Sequence, residues 1–223
     1  GGELAERARA LGIRVENGKA ISKVFGKKRV EAIRICEHND SGKGNEKIEC
    51  DCIAMSGGWS PVVHLYSHCG GKLKWDEKLA LFRPDSSAKP TSYDGLPFVT
   101  AVGSANGFLL MQEVLKDARE GCLDVIEAAG GKIKKKNFKD VPQECENTLQ
   151  AIWIAPQDAD IKKRAKIWLD FQNDVKINDV ELAAREGFES VEHTKRYTTL
   201  GMATDQGKLS NINGLAILSS SLG

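Results

Sequence analysis

The feature that most constrains this chain lies at residues 96–129, where an apolar run meets a glycine turn and then a helical pattern. Residues 96–102 read as a buried strand, Gly103-Ser104-Ala105-Asn106-Gly107 as the turn, and residues 108–129 as one helix. Leu110, Val114, Ala118, Cys122, Val125 and Ala129 fall on a single stripe of that helix. Strand, glycine turn and helix in this order belong to an α/β sheet. Ligands gather there at the carboxyl ends of strands, where free N–H groups face a phosphate. The same turn also occurs as plain scaffold in many α/β proteins. No complete G-x-G-x-x-G is present, so the first βα unit of any dinucleotide fold is expected upstream.

The preceding residues fit the same class. Residues 3–11 predict a short helix stopped by Gly12, and residues 13–15 a strand. Two β-rich runs, 20–25 and 29–37, flank Gly26-Lys27-Lys28 as a hairpin. A polar loop at 39–45 leads to a strand at 47–55, which ends in Ser56-Gly57-Gly58-Trp59-Ser60-Pro61. That is a second place where backbone can approach a ligand closely. Residues 62–95 read as irregular around a short apolar piece at 78–82.

After Gly130-Gly131 the basic run 132–139 reads as solvated linker rather than a binding patch. From residue 158 the pattern turns helical. One helix is predicted at 160–170, and a second is opened by the capping box Asn178-Asp179-Val180-Glu181 and closed by Gly187. Ser190 caps a third and Ser210 a fourth. The predicted organisation is thus residues 1–132, a linker at 133–157, and a helical module at 158–223. The chain opens without a methionine and closes on an apolar stretch, so both ends are expected to be cuts through a longer protein.

Composition excludes several classes. Hydrophobic content of 41% and charged content of 28% are those of a globular chain rather than a disordered one. A net charge of +1 gives no global attraction to nucleic acid or an acidic membrane. No apolar run approaches the roughly 20 residues that span a bilayer. The six cysteines read as reduced cytoplasmic thiols. Cys50 and Cys52 share a face if their segment is a strand, and His64 and His68 have helical spacing beside Cys69. Neither set completes a metal-ligand pattern, and no metal is expected. His193 reads as structural, and Trp59 and Trp75 as packing aromatics.

The order of elements resembles the latter half of a disulfide-reductase-type FAD/NAD(P)-binding Rossmann-like domain. In that family a nucleotide subdomain is inserted, and the chain returns through a Thr/Ser-Gly-x-x-Pro turn and a strand ending in Gly-Asp. Ala101-Val102-Gly103-Ser104 takes the last position, with Ser104 in place of the flavin-binding aspartate, which argues against FAD there. The helical module resembles the small [2Fe–2S] domain of bacterioferritin-associated ferredoxins (BFD-like). The thiolate positions fall near Asp170-Phe171-Gln172-Asn173 and at Asp205 and Ser210, so the scaffold is expected without its cluster.

The narrowest match is in three stretches: Asp170-Phe171-Gln172-Asn173-Asp174-Val175, residues 181–188, and residues 190–208. With Ser56-Gly57-Gly58-Trp59-Ser60-Pro61 and Gly71-Lys72-Leu73-Lys74-Trp75-Asp76, they resemble the alpha subunits of heterotetrameric sarcosine oxidases. The resemblance implies a cytoplasmic complex that demethylates sarcosine oxidatively to glycine, makes hydrogen peroxide and passes one carbon to tetrahydrofolate. It implies NAD in this subunit, with Ser56, Gly57, Gly58, Gly103, Ser104, Ala105 and Asn106 as candidate contacts. It further implies FMN at the interface with the beta subunit, near Lys195, Arg196, Thr198, Thr199 and Lys208. No catalytic residue is assigned to this chain. Two other readings stay open: a subunit of an amine or opine dehydrogenase, and a non-catalytic interaction module on a decayed dinucleotide fold.

Overall fold

The computed structural model describes residues 2–132, 141–142 and 150–223. The chain is mixed α/β. It opens with helix α1 (Glu3–Ala10), then strands β1 (Lys19–Phe25), β2 (Ala32–Glu37) and β3 (Glu46–Glu49), and helix α2 (His64–His68). Next come β4 (Leu73–Asp76), β5 (Leu81–Pro84), a 3-10 turn (Gly103–Asn106) and α3 (Met111–Ala128). The last elements are α4 (Ile161–Arg164), β6 (Trp168–Asp170), β7 (Val175–Lys176), α5 (Ile177–Arg185), α6 (Val191–Thr198) and α7 (Asn211–Leu222). The basic run at 132–139, apart from Lys132, and much of the expected linker lie outside the described residues. Among the described residues no helix is long and apolar enough to cross a membrane.

The chain falls into two compact units: residues 1–15 with 56–151, and residues 16–55 with 152–223. The sheet at 16–55 therefore groups with the C-terminal module, across the sequence interval that composition had marked as a boundary.

In the first unit β4 and β5 pair antiparallel, with Trp75 opposite Phe82 and their rings in edge contact at 4.9 Å. The turn between them forms because the Asp76 carboxylate accepts the N–H groups of Lys78 and Leu79, both at 3.1 Å. Residues 62–95, expected to be irregular, thus hold a helix and a hairpin. Trp75 packs as expected, whereas Trp59 is 85% exposed and does not. The strands expected at 13–15 and 96–102 are not formed. A strand needs a neighbour for its N–H and C=O groups, and residues 96–102 make only an isolated bridge, Thr91 to Pro97. Leu96 and Phe98 stand more than half exposed. The helix begins at Met111 rather than at 108, after the 3-10 turn.

In the second unit β1–β2–β3 form an antiparallel sheet that buries Ala20, Ala32, Ile35 and Cys36. The predicted third strand stops at Glu49, which leaves Cys50 at its end and Cys52 in exposed coil. The sheet is tied to the C-terminal module by the main chain. Gln157 N–H donates to the His38 carbonyl at 2.7 Å and Asp158 N–H to that of Asp40 at 3.3 Å.

The module's core is Leu169, Val175, Ile177, Val180, Leu200, Ile217 and Leu218. Ile177, Val180 and Ala183 recur every three residues, so α5 presents one fully buried face. Burying each large aliphatic side chain contributes about 1.5–3 kcal/mol.

Two expectations for this module are corrected. It is not all-helical. The helix expected at 160–170 ends after Arg164, and Trp168–Asp170 pairs with Val175–Lys176 instead. The N-cap of the second helix is Lys176, two residues before the expected Asn178. The helix begins at Ile177, with the Asp179 carboxylate accepting the Lys176 N–H at 2.8 Å. The helices after Ser190 and Ser210 begin where expected, although neither serine side chain makes a capping hydrogen bond.

Candidate functional site

The predicted contacts in the first unit divide into an open loop and a closed turn. Ser56, Gly57 and Gly58 are exposed, and no atom lies within 4 Å of where a Cβ would stand on either glycine. Their main chain is approachable by a ligand.

Gly103–Asn106 is held from two sides. From α3 the Asp117 carboxylate accepts the Gly103 N–H at 2.6 Å and the Asn106 side-chain amide at 3.2 and 3.3 Å. From β5 the Arg83 guanidinium donates to the Asn106 carbonyl at 2.8 Å. It also pairs with Asp76 at 3.3 Å and lies over the Phe108 ring at 5.2 Å. Burial pushes the Asp76 carboxyl up, but the Leu79 N–H, the Arg83 guanidinium and the Lys78 N–H outweigh this and hold it below its ordinary value. A cavity of about 220 Å³ opens beside the turn, lined among others by Thr100, Asn106, Asp117, Glu120, Asp124 and Lys89. No hydrogen bond joins Ser56, Gly57 or Gly58 to this turn.

In the second unit two loops, around Asp170 and around Gly201, are stitched together by hydrogen bonds. Asp170 is 4% exposed. Its carboxylate accepts N–H groups from Gln172 at 2.9 Å, Asn173 at 3.1 Å and Gly201 at 2.8 Å. Asn173 donates its side-chain amide to the Thr199 carbonyl at 2.8 Å, and Gln172 accepts from the Thr204 N–H and hydroxyl at 3.1 and 2.6 Å. Gly201 and Gly207, at φ of +67° and +74°, let the second loop close on the Asn211 side chain. Ser210 is buried, and its hydroxyl and the Asn211 side-chain oxygen have no hydrogen-bond partner.

The predicted polar residues around these loops have different fates. The Thr198 and Thr199 hydroxyls donate to the carbonyls of Thr194 and Thr198, at 2.8 and 2.6 Å, and so serve the end of α6. Thr199 is the left-handed residue that terminates the helix, with φ of 64°. Arg196 and Lys208 are exposed and Lys195 is half-buried. Phe171, Met202 and Leu209 are 72%, 55% and 72% exposed on the same loops, so the surface combines cations with apolar groups. His193 is exposed on α6. His64 and His68 are on α2 with helical spacing, and among the described residues no group of three His, Cys, Asp or Glu side chains is placed to hold a metal ion.

Sequence reasoning missed Asp117 and Arg83, which the fold brings to the glycine turn from 14 positions downstream and 23 upstream. No local motif marks either one. The sequence marks Asp170 as part of the family resemblance, but nothing local shows that its carboxylate reaches Gly201.

Comparison with known proteins places this architecture. Residues 164–223 match the sarcosine oxidase A3 domain family. The chain is 35% identical over 203 residues to the sarcosine oxidase subunit alpha of Rhizobium meliloti (strain 1021), covering 90% of this chain and 19% of that protein. It is 31% identical over 183 residues to the subunit alpha of Corynebacterium sp. (strain U-96), covering 80% and 18%. With that of Corynebacterium sp. (strain P-1) the match is 28% over 225 residues, covering 98% and 22%. The chain thus spans about a fifth of the length of these relatives. The crystal structure of L-proline dehydrogenase from P. horikoshii superimposes with a TM-score of 0.62 at 20% identity, covering 97% of this chain and 42% of that one. At that identity the likeness concerns the fold.

Proposed function

We propose that this chain, an alpha-subunit segment related to those of sarcosine oxidases, is a cofactor-holding and assembly part of an oxidoreductase complex. The observation that carries the reading is the 35% identity over 203 residues, which runs through both units. The reaction proposed for the complex is oxidative demethylation of sarcosine to glycine, with hydrogen peroxide formed and the one-carbon unit passed to tetrahydrofolate, in the cytoplasm. The amine-oxidising step is assigned to another subunit, so the 223 residues alone are expected to turn over no sarcosine.

Within that assembly the second unit supplies an interface. The exposed or half-exposed cations Lys195, Arg196 and Lys208 and the exposed Phe171, Met202 and Leu209 suit a companion subunit and the phosphate of an FMN held at its edge. Thr198 and Thr199 keep the end of α6 in place for those cations. Oxygen and amide groups at Asp170, Gln172, Asn173 and Ser210 do not suit an iron–sulfur cluster, which requires thiolates.

The first unit is proposed to meet NAD, and its two glycine segments suit that cofactor unequally. Ser56, Gly57 and Gly58 offer open backbone. The Gly103–Asn106 turn, faced by the Asp117 carboxylate, does not suit a pyrophosphate. Ser104, Ala105 and Asn106 remain candidates for uncharged parts of the dinucleotide.

The test is the full-length protein co-expressed with its companion subunits. Sarcosine-dependent oxygen uptake with glycine as product is expected, and an assembled complex that leaves sarcosine unchanged would overturn the reading. Replacing Lys195, Arg196 and Lys208 together by Glu is expected to release the companion subunit during purification.

A further inference from the structure

We infer that Asp117 is a built-in anion at the Gly103–Asn106 turn, and that it excludes phosphate from a glycine turn whose main-chain N–H groups could otherwise receive one. The inference rests on the reading that the protein binds a dinucleotide, and it specifies which part of that ligand this turn cannot take.

A phosphate is drawn to main-chain N–H groups of a turn that have no partner within the protein. Here the first such group is already used. Gly103 N–H donates at 2.6 Å to one Asp117 oxygen, and the Asn106 amide reaches both oxygens. The contact is short for an N–H donor, as hydrogen bonds to a carboxylate tend to be. Arg83, which reaches the turn through its hydrogen bond to Asn106, is engaged by Asp76 and turned onto the Asn106 carbonyl and the Phe108 ring. It is not directed at an incoming anion.

The cavity beside the turn points the same way. Asp117, Glu120 and Asp124 line it against a single ammonium, Lys89. Asp117, Glu120 and Asp124 fall at intervals of three and four along α3, so one helical face carries all three carboxylates. A pyrophosphate entering there meets like charge from the helix and finds the Gly103 donor occupied. Serine at position 104 and asparagine at 106 contribute neutral groups only.

The experiment uses the full-length protein with its companion subunits. Dinucleotide affinity is measured by calorimetry for the wild type and for Asp117→Asn, which removes the charge and keeps an acceptor for Gly103. If phosphate lies elsewhere, the two affinities agree within about twofold. Tightening by about tenfold or more in the variant would mean that a phosphate sits beside Asp117, and would overturn the inference.

Asp117→Ala, which vacates the position, is compared with the wild type by thermal unfolding in millimolar inorganic phosphate against chloride of equal ionic strength. A phosphate-dependent rise in Tm is expected for the variant alone. An equal rise in the wild type, or no rise in a folded variant, would overturn the inference. If the assembled protein holds no dinucleotide, the cofactor reading fails while the phosphate comparison still decides the role of Asp117. If Asp117→Ala does not fold, the calorimetric comparison decides it.

Discussion

The carboxylate of Asp170 accepts the N–H of Gly201 at 2.8 Å, joining residues 31 positions apart. The same carboxylate accepts the N–H groups of Gln172 and Asn173, so it shapes its own turn and pins the distant loop to it. A single hydrogen-bonded carboxylate thus links two segments far apart in the sequence. A buried anion is tolerated there because several N–H dipoles replace the water it gives up.

Asp170→Ala is therefore expected to be costly. It leaves the buried N–H of Gly201 and the part-buried N–H groups of Gln172 and Asn173 without their acceptor, at a cost of roughly 2–4 kcal/mol. Chemical denaturation of the wild type and the variant, monitored on the second unit, measures this. Asp170→Asn retains one acceptor oxygen and is expected to lie between them.

Gly201 tests the same junction from the other side. At φ of +67° any side chain is strained, and a Cβ would stand 2.1 Å from the Asn211 side-chain oxygen. Gly201→Ala should lose at least about 2 kcal/mol, combining left-handed backbone strain with the clash. Asn211→Ala in the same chain removes the clash and not the strain, so the double variant is expected to recover part of the loss. A loss unchanged in the double variant would place the damage elsewhere.

What could be read in the sequence was what local chemistry determines. Ser190 and Ser210 stand at the N-cap positions of helices, Gly12 and Gly187 stop helices, and the β-rich runs in residues 20–37 give a hairpin, because each signal acts within a few residues. The failures have one physical source. Residues 96–102 are apolar enough for a buried strand, yet pairing depends on a neighbour that no local pattern supplies. Trp168-Leu169-Asp170 continues a helical pattern, but the Asp170 carboxylate folds the chain back through its own turn. At the candidate site the glycines were legible and their partners were not. Asp117 and Arg83 look like ordinary surface charges until the fold sets them on Asn106.

Asp76 gives the β4–β5 hairpin a defined pH dependence. Its carboxyl titrates below its ordinary value in the folded chain, because the Leu79 and Lys78 N–H groups and Arg83 outweigh burial. A depressed carboxyl stabilises the fold at pH above its unfolded value of about 4, and that stability is lost as pH falls through the folded value. Asp76→Asn should therefore be less stable than the wild type at neutral pH, with the difference shrinking below about pH 4. Unfolding midpoints across that range measure it. A difference that stays constant with pH would show that the charge of Asp76 contributes nothing.

The thiols separate by the same reasoning about charge. Burial pushes the Cys36 thiol up, with the Asp40 carboxylate acting in the same direction. The thiolate is the form that reacts, so Cys36 is both scarce in that form and shielded by the sheet. Cys52 and Cys69 are exposed on loops. Brief treatment of the native protein with iodoacetamide, read by mass spectrometry, should alkylate Cys52 and Cys69 well before Cys36, and the order should vanish in denaturant. Early modification of Cys36 in native protein would mean that the β1–β2 pairing opens on the timescale of the reaction, contrary to a sheet that buries Ala20, Ala32 and Ile35 beside it.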